Sequence, residues 1–502
     1  MRRKTKAFVL TIIMMIALVG CGGKDVSDGG TNAFGKSSSN VANEDIPNAE
    51  EENKDIPADA MKIGTVEDLE EFVELVNGGK SKLNAMLTAD LDLSAKYGEG
   101  TEGWQGIHSY NGIFDGDGHA ISGFVMNFPD GNDVGFFMGC GEKSIIRNLE
   151  IQDAVYEIFF GGSIVGHTDG MVENCRSNAV IHGNQVGGIA GHSNLMKDSV
   201  FSGTIEATDS AGGICWSGYV VENCRNEGTL TCLEEKDLTS ASAGGIAAVL
   251  FEYAKDCVNT GTVDGGIGNA GGIVAGGSAG GTQAGGPERV LDCRNEGIVS
   301  ASLAGGIIGG SMFDSDEPVI INCENTGAVY GTGEKGYAAG IVGALGGKGQ
   351  IINCSSTGSV ESTYHAAGIL VQTQSANKQR VVNCYSSGTI TATGDSTLAY
   401  AYGISGALVM ECRNCFTNAD IQTSSRSCAI RGGKQSEEDG CYYVNTIRQI
   451  DKDGEIETPG ALAAEAFTDG TLLQLLNDAV DGIEGELCSW KQGEQFPVFD
   501  WQ

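Results

Sequence analysis

Four cysteines towards the C-terminal end of the chain are the residues best suited to hold a metal ion. Cys412 and Cys415 form a Cys-x-x-Cys pair, and Cys428 and Cys441 follow them. Thiolates at such spacings can bind Zn²⁺ tetrahedrally. Cys415 and Cys441 also continue a regular series of cysteines along the chain, which favours packed thiols over ligands. We therefore expect no metal and no other cofactor, and a zinc site is the alternative.

The residues that could act as catalytic acids or bases show no clustering in the sequence. Asp115, Asp117 and His119 stand in one glycine-rich stretch that superficially resembles a calcium loop, but the later acidic ligand of an EF-hand is missing. The histidines share no register with the repeat described below: His108, His119, His167, His182, His192 and His365. We expect no catalytic residues. A polysaccharide lyase or glycoside hydrolase, which needs clustered carboxylates, is the alternative.

The N-terminal residues have the features of an export signal. A basic start is followed by an apolar run over 7–16 and by Leu-Val-Gly-Cys ending at Cys21. The run is too short to span a membrane. This stretch resembles the bacterial lipobox, which implies that residues 1–20 are a lipoprotein signal peptide and that Cys21 carries the lipid. An ordinary secretory signal with a chance cysteine is the alternative.

Residues 21–60 are poor in apolar side chains and rich in Gly, Ser, Asn, Asp and Glu. Such a segment cannot bury enough apolar surface to fold, so we expect a disordered acidic tether. The whole chain has 66 acidic and 31 basic residues and a net charge of -35. This charge argues against a nucleic-acid partner and keeps a long repetitive surface soluble.

Two short motifs alternate along most of the chain and define a repeat. Gly-Gly-Ile or a close variant begins at Gly161, Gly187, Gly212, Gly244, Gly271, Gly305, Ala339, Ala367 and Tyr402. Asn-Cys or a close variant begins at Asn174, Asp198, Asn223, Asp256, Asp292, Asn322, Asn353, Asn383 and Asn414. The steps between successive copies run from 24 residues (Asn174 to Asp198) to 36 residues (Asp256 to Asp292). Short β-branched runs with glycine corners at this period predict one β-solenoid coil per repeat.

Stacked coils bring equivalent residues into columns along the solenoid axis. The isoleucines after the glycine pairs should form an inward aliphatic stack, and the repeat cysteines an inward column of small side chains, since Ser199 fills one of their positions. Parallel stacking separates neighbouring Cβ atoms by about 4.8 Å, which is too far for a disulfide, so we expect free thiols. Arg176, Arg225, Arg294 and Glu324 should form a solvated charge row.

The open ends of a solenoid need caps. Residues 65–68 form a predicted capping box that opens a helix through Asn77. An amphipathic pattern over 461–480 and an apolar end over 496–501 predict a C-terminal cap.

The repeat from Val221 to Leu230 resembles the GLUG-type repeats of bacterial surface proteins, and the segment from Tyr110 to Gly123 resembles their shared first coil, which places 115–119 at a turn. The resemblance covers about residues 60–502. It implies an all-β, right-handed parallel β-helix with a short helical N-terminal cap and a C-terminal cap. We assign 61–150 to the N-terminal cap and first coils, 151–441 to the repeats and 442–502 to the C-terminal cap. The family has no single established activity.

Aromatic residues near the two longest coils are the best candidates for ligand binding. Trp216, Tyr219, Phe251 and Tyr253 lie outside the predicted isoleucine stack, and the extra loops of these coils span 232–239 and 276–289. Their rings could stack on sugars or on a protein, although residues folded over the core would look the same. We expect a lipid-anchored protein on the outer face of the cell membrane. Its β-helix would serve as a binding, adhesion or display scaffold, with a glycan or a surface protein as its partner.

Overall fold

The computed structural model describes residues 55–233, 241–276, 289–310, 318–373, 379–394, 398–407, 410–432, 440–451, 454–483 and 485–502. The predicted signal peptide, the lipidation site at Cys21 and the tether up to residue 54 lie outside the described residues. So do most of the two coil loops proposed above, over 234–239 and 277–288.

The chain from Ile56 onward forms a parallel β-helix, as the repeat predicts. Each coil adds short strands to three parallel sheets, and neighbouring coils pair residue for residue, for example Asn226 with Asn259 and Asn259 with Asn295. Glycines permit this close stacking, because a Cβ on Gly245 would lie 2.0 Å from the carbonyl oxygen of Gly272.

The strands fall into these three sheets and a few short additions. The first sheet contains Met61–Ile63, Ala85–Leu87, Ile113–Asp115, Phe137–Cys140, Ile145–Arg147, Val165–Glu173, Ala190–Lys197, Cys215–Glu222, Ala247–Lys255, Arg289–Leu291, Val319–Ile321, Gln350–Ile352, Gln379–Val382 and Met410–Arg413, and it is flanked by Ile308–Gly310, Val342–Leu345 and Leu370–Thr373. The second contains Leu91–Asp92, Ala120–Ser122, Glu150–Gln152, Arg176–Ser177, Val200–Phe201, Arg225–Asn226, Val258–Asn259, Arg294–Asn295, Glu324–Asn325, Ser355–Ser356, Tyr385–Ser386, Phe416–Thr417, Tyr442–Val444 and Ala461–Leu462. The third contains Val125–Phe128, Val155–Ile158, Phe160–Gly162, Val180–Gly187, Thr204–Gly212, Thr229–Cys232, Ser242–Gly244, Thr262–Asp264, Asn269–Gly271, Ile298–Ala301, Leu303–Gly305, Val329–Gly331, Tyr337–Ala339, Val360–Ser362, His365–Ala367, Thr389–Ala392, Tyr400–Tyr402, Asp420–Thr423, Arg426–Cys428, Ile450–Asp451 and Gly454–Glu455. Trp490–Gln492 and Pro497–Phe499 form a separate hairpin.

The interior is built from the predicted columns. The isoleucine stack is buried in every described coil that carries it: Ile164, Ile189, Ile214, Ile246, Ile273, Ile307, Ile341, Ile369, Ile404 and Ile430. The column cysteines are buried too: Cys175, Cys224, Cys257, Cys293, Cys323, Cys354, Cys384, Cys415 and Cys441. Apart from Cys441, whose sulfur contacts that of Cys412, the described cysteines are free thiols. Their sulfur atoms contact backbone carbonyl oxygens, as Cys323 Sγ does at 3.3 Å from Ile321 O.

A ladder of buried asparagine side chains, two residues after the column cysteines, runs beside the cysteine column and is not among the features predicted from the sequence. Asn226 Nδ2 donates to Asn259 Oδ1 at 2.7 Å, Asn259 donates to Asn295 at 2.8 Å, and Asn295 donates to Asn325 at 2.7 Å. Each side-chain amide thus donates a hydrogen bond to the next one along the axis. These bonds replace those to water, so the polar groups can be buried in the interior.

The first end of the solenoid is closed by helix α1 (Val66–Asn77). Its N-cap Thr65 accepts from the Asp68 backbone N–H, and the Asp68 carboxylate accepts from the Thr65 backbone N–H, which is the predicted capping box. Leu69, Phe72 and Val76 are its buried residues. The short helix α2 (Ser94–Tyr97) follows.

The C-terminal segment differs in two ways from the expected end cap. Parallel pairing continues past residue 441. The strand Tyr442–Val444 pairs with Phe416–Thr417 of the preceding coil and with Ala461–Leu462 beyond it. A 3₁₀ turn (Ala464–Phe467), helix α3 (Thr471–Val480) and the hairpin then fold back along the outer side of the second sheet. This segment covers the flank of the last coils.

Candidate functional site

An outward-facing row of rings crosses four coils of the first sheet. We call His167, His192, Tyr219 and Phe251 the outer aromatic stripe. His167 and His192 are register partners whose rings stack with centroids 4.7 Å apart. His192 meets Tyr219 edge to face at 5.9 Å, and Tyr219 stacks on Phe251 at 4.9 Å. The expectation that the histidines share no register is therefore wrong for His167 and His192, which lie one coil apart on equivalent positions.

The stripe combines ring carbons with polar atoms. Tyr219 is 42% exposed, and the other three rings are half-buried. His192 Nδ1 lies 2.7 Å from Ser217 Oγ, and burial lowers the pKa of His192. His167 Nε2 lies 3.4 Å from an Asp169 carboxylate oxygen. The two histidine rings stack on each other, Tyr219 stacks on Phe251, and the two pairs meet edge to face, so the row places imidazole nitrogens and a phenol hydroxyl beside ring carbons.

The other two predicted ligand-binding residues lie outside this stripe. The Trp216 indole N–H donates to Ser210 Oγ at 2.7 Å, and its ring packs against Phe160 with centroids 5.2 Å apart. Tyr253 is only 6% exposed, and its hydroxyl donates to Glu222 Oε1 at 2.7 Å. A register shift in this strand pair aligns Tyr253 with the buried Val220, so little of its ring is exposed to a ligand.

A second aromatic cluster on the third sheet was missed by the sequence analysis. Tyr337, His365 and Tyr400 are register partners, and Tyr364 stacks on His365 with centroids 4.2 Å apart. The Arg426 guanidinium lies 4.9 Å from the centroid of Tyr400. Burial lowers the pKa of His365 to about 4. The signal was present in the repeat, since each of these partners stands three residues before the glycine of a Gly-Ile pair.

Three of the four cysteines considered as zinc ligands come together. The sulfur atoms of Cys412, Cys415 and Cys441 lie within 4.8 Å of one another and are buried. Cys428 lies apart, on the third sheet as the register partner of Tyr402.

The remaining candidates have structural partners. Arg147 Nε donates to Asp115 Oδ2 at 2.8 Å, and Asn148 Nδ2 donates to Asp115 Oδ1 at 2.9 Å, so this carboxylate supports the turn before Ala120. In the charge row, Arg294 pairs with Glu324 at 3.1 Å. Among the described helices, none is long and apolar enough to cross a membrane.

The fold and the stripe together define the chain as a parallel β-helix protein with an exposed row of aromatic and imidazole rings. The chain matches no known protein-family model. Over 96 residues it is 31% identical to a protein of Evansella cellulosilytica named provisionally as a Gly-rich membrane protein. The match covers 18% of this chain and 11% of that protein, so this chain spans a small part of that relative's length.

A solved structure from Bacteroides ovatus, named provisionally as an immunoglobulin A1 protease, is also similar. It aligns over 88% of this chain and 92% of its own, with 17% sequence identity and a TM-score of 0.32. A likeness at this score is too weak to inform function.

Proposed function

We propose that this protein is a lipid-anchored surface scaffold whose outer aromatic stripe binds a neutral glycan or a surface protein. The observation that carries the proposal is the exposed Tyr219 at the centre of a row of four rings held on a rigid sheet. A preformed surface loses little conformational entropy on binding, and aromatic side chains supply much of the energy at binding surfaces.

The chemistry of the stripe favours an uncharged ligand. The surrounding protein has a net charge of -35, which repels acidic polysaccharides and nucleic acids. Burial lowers the pKa of His192, which favours its neutral form. Hydroxyl groups of a neutral sugar or backbone groups of a peptide can bond to the ring edges, and apolar sugar faces or side chains can contact the carbon edges.

Substitution of the two apolar members of the stripe tests the proposal. The full-length chain in detergent is applied to a panel of polysaccharides and surface proteins, and binding is compared between the native chain and Tyr219→Ala/Phe251→Ala. We expect at least about tenfold weaker binding for the double variant, corresponding to about 1.4 kcal/mol. Tyr330→Ala is the matched control, because Tyr330 is 38% exposed but lies on the third sheet.

Equal affinity of the native and double-variant chains would contradict the role of the stripe. The same incubations are assayed for reducing ends and unsaturated products. Turnover above a heat-inactivated control would instead favour a polysaccharide-degrading enzyme.

A further inference from the structure

Three cysteine side chains meet near the C-terminal end of the solenoid core. Cys412, Cys415 and Cys441 are at most 3% exposed, and the Sγ atoms of Cys412 and Cys441 lie 3.7 Å apart. Within the described part of the chain, this is the group of three or more His, Cys, Asp or Glu residues whose ligand atoms all come within 4.8 Å of one another. The cysteine column alone cannot produce such a group, because a straight column brings together only successive pairs.

One amino-acid exchange in a neighbouring column creates the cluster. Cys415 Sγ lies 3.5 Å from the carbonyl oxygen of Val381 in the preceding coil, and Cys441 Sγ lies 3.4 Å from that of Cys412. Val381 and Cys412 are register partners, so they occupy the same position in successive coils. The coils before Cys412 fill this position with apolar side chains: Phe114, Ile146, Val172, Met196, Val221, Ala254, Val290, Ile320, Ile351 and Val381.

We propose that Cys412, Cys415 and Cys441 bind one thiophilic d¹⁰ metal ion, Zn²⁺ or Cu⁺. Soft sulfur ligands select such ions over hard cations. With metal–sulfur bonds of about 2.3 Å, sulfurs at tetrahedral positions are separated by about 3.8 Å. Cys412 and Cys441 already have this separation. Two packed thiols would also show it, so the third sulfur within 4.8 Å is what indicates a ligand set. The proposal departs from the sequence-based expectation of no metal, because register explains Cys415 and Cys441 but not Cys412.

Metal binding offsets part of the ligand charge, since three thiolates leave one net negative charge around Zn²⁺ and two around Cu⁺. The three sulfurs are buried and lie together, and a cysteine binds a metal as its thiolate. Each ligating sulfur loses its proton to solvent and forms a bond to the metal, whose positive charge offsets the buried thiolates. Affinity therefore falls as the pH is lowered, since protons compete with the metal.

The position of the cluster determines how it can be loaded. Cys441 belongs to the last coil of the cysteine column, and terminal segments of a structure open locally at lower free energy than its middle. Because the sulfurs are buried, we expect the ion to enter during folding or during opening of these last coils, and then to stabilise them.

The test uses the full-length chain, unfolded with reductant in the absence of oxygen and refolded with one equivalent of Zn²⁺ or of Cu⁺. After gel filtration, metal content is measured by mass spectrometry, and we expect about one ion per chain in at least one of the two arms. Cys412→Val restores an apolar residue of the preceding coils and should lower retention more than tenfold. Cys323→Ser is the matched control, since it removes a distant column thiol at a position where Ser199 stands in another coil; it should retain the ion.

Circular dichroism checks that both variants fold. Co²⁺ provides a second readout on the native chain, where thiolate binding gives sulfur-to-cobalt charge-transfer absorption that Zn²⁺ should abolish by displacement. The proposal is overturned if neither ion is retained, if Cys412→Val retains as much as the native chain, or if both variants lose the ion equally. A Cys412–Cys441 disulfide in the natively purified chain would also overturn it.

Discussion

The Asn or Asp that precedes each column cysteine adopts a left-handed backbone conformation, with φ between 49° and 55° from Asn174 to Asn414. Asn and Asp tolerate this conformation better than other non-glycine residues. Their side chains also bond along the axis, as Asn383 Nδ2 does to Asn353 Oδ1 at 2.8 Å. Because Asn or Asp recurs at this one position of the repeat, a turn and an axial ladder are predictable there from the sequence alone.

Asn383 offers a test of how much this position contributes to stability. Its amide bonds to Asn353, Asn414, the Cys488 carbonyl and the Trp490 indole. Asn383→Ala removes these bonds and also places a Cβ-bearing residue without a polar side chain at positive φ, which costs about 1 to 2 kcal/mol. Asn383→Gly removes the same hydrogen bonds, but glycine adopts a positive φ without steric strain. We expect both variants to lower the free energy of unfolding in guanidinium titrations, and Ala to lower it more; equal losses would contradict the strain argument.

Where the C-terminal segment packs on the second sheet, one outward row of side chains changes from charged to aromatic. The outward row that carries Arg176 and Glu324 in earlier coils becomes Tyr385 and Phe416 in later ones. These rings pack against the folded-back segment, with Phe416 and Trp490 centroids 5.5 Å apart. The amphipathic pattern of this segment was predictable from sequence. Its placement on the flank was not, because it depends on which outward row turns apolar, and that is visible only once the coils are aligned.

Trp490 anchors this segment and should dominate its attachment. It is 4% exposed and packs on Tyr385, Phe416 and Phe499. Trp490→Ala leaves a large cavity and a lost indole hydrogen bond, so we expect a loss of about 3 to 5 kcal/mol. Trp501→Ala is the control, because Trp501 is 38% exposed, and it should cost less than about 1 kcal/mol.

Hydrogen exchange followed by mass spectrometry distinguishes local from global effects of these two substitutions. In Trp490→Ala, protection should fall first in α3 and in the strands of the last coils, since each coil of a solenoid depends mainly on its neighbours. Uniform loss of protection along the whole chain would show that the segment supports the entire fold.

At the scale of the whole molecule, the repeat determined the architecture and its inward columns. It did not determine which outward side chains meet across coils. Coil lengths vary from 24 to 36 residues, so residues next to an insertion cannot be aligned between coils from the sequence alone. For this reason Tyr219 and Phe251 were recognised as neighbours of long coils, whereas the contact of Tyr219 with His192, and the whole Tyr337 cluster, were not. The Cys-x-x-Cys spacing of the thiol cluster was visible in the sequence. That its three sulfurs converge could be seen only once Cys412 was aligned with Val381 of the preceding coil.

We propose that a lipid anchor at Cys21 holds the solenoid outside the cytoplasmic membrane. Two or three acyl chains, at about 0.8 kcal/mol per buried methylene, hold a folded domain on a bilayer, whereas the apolar run over 7–16 is too short to span one. We expect the native chain to sediment with membranes after a high-salt wash and to enter the detergent phase on phase separation. Cys21→Ser should abolish acylation, which mass spectrometry of the N-terminal peptide would detect, and should shift the chain to the aqueous phase. Cys488→Ser removes a half-buried thiol elsewhere and should behave as the native chain does; a Cys21→Ser chain that stays with the salt-washed membranes would exclude the lipid as the anchor.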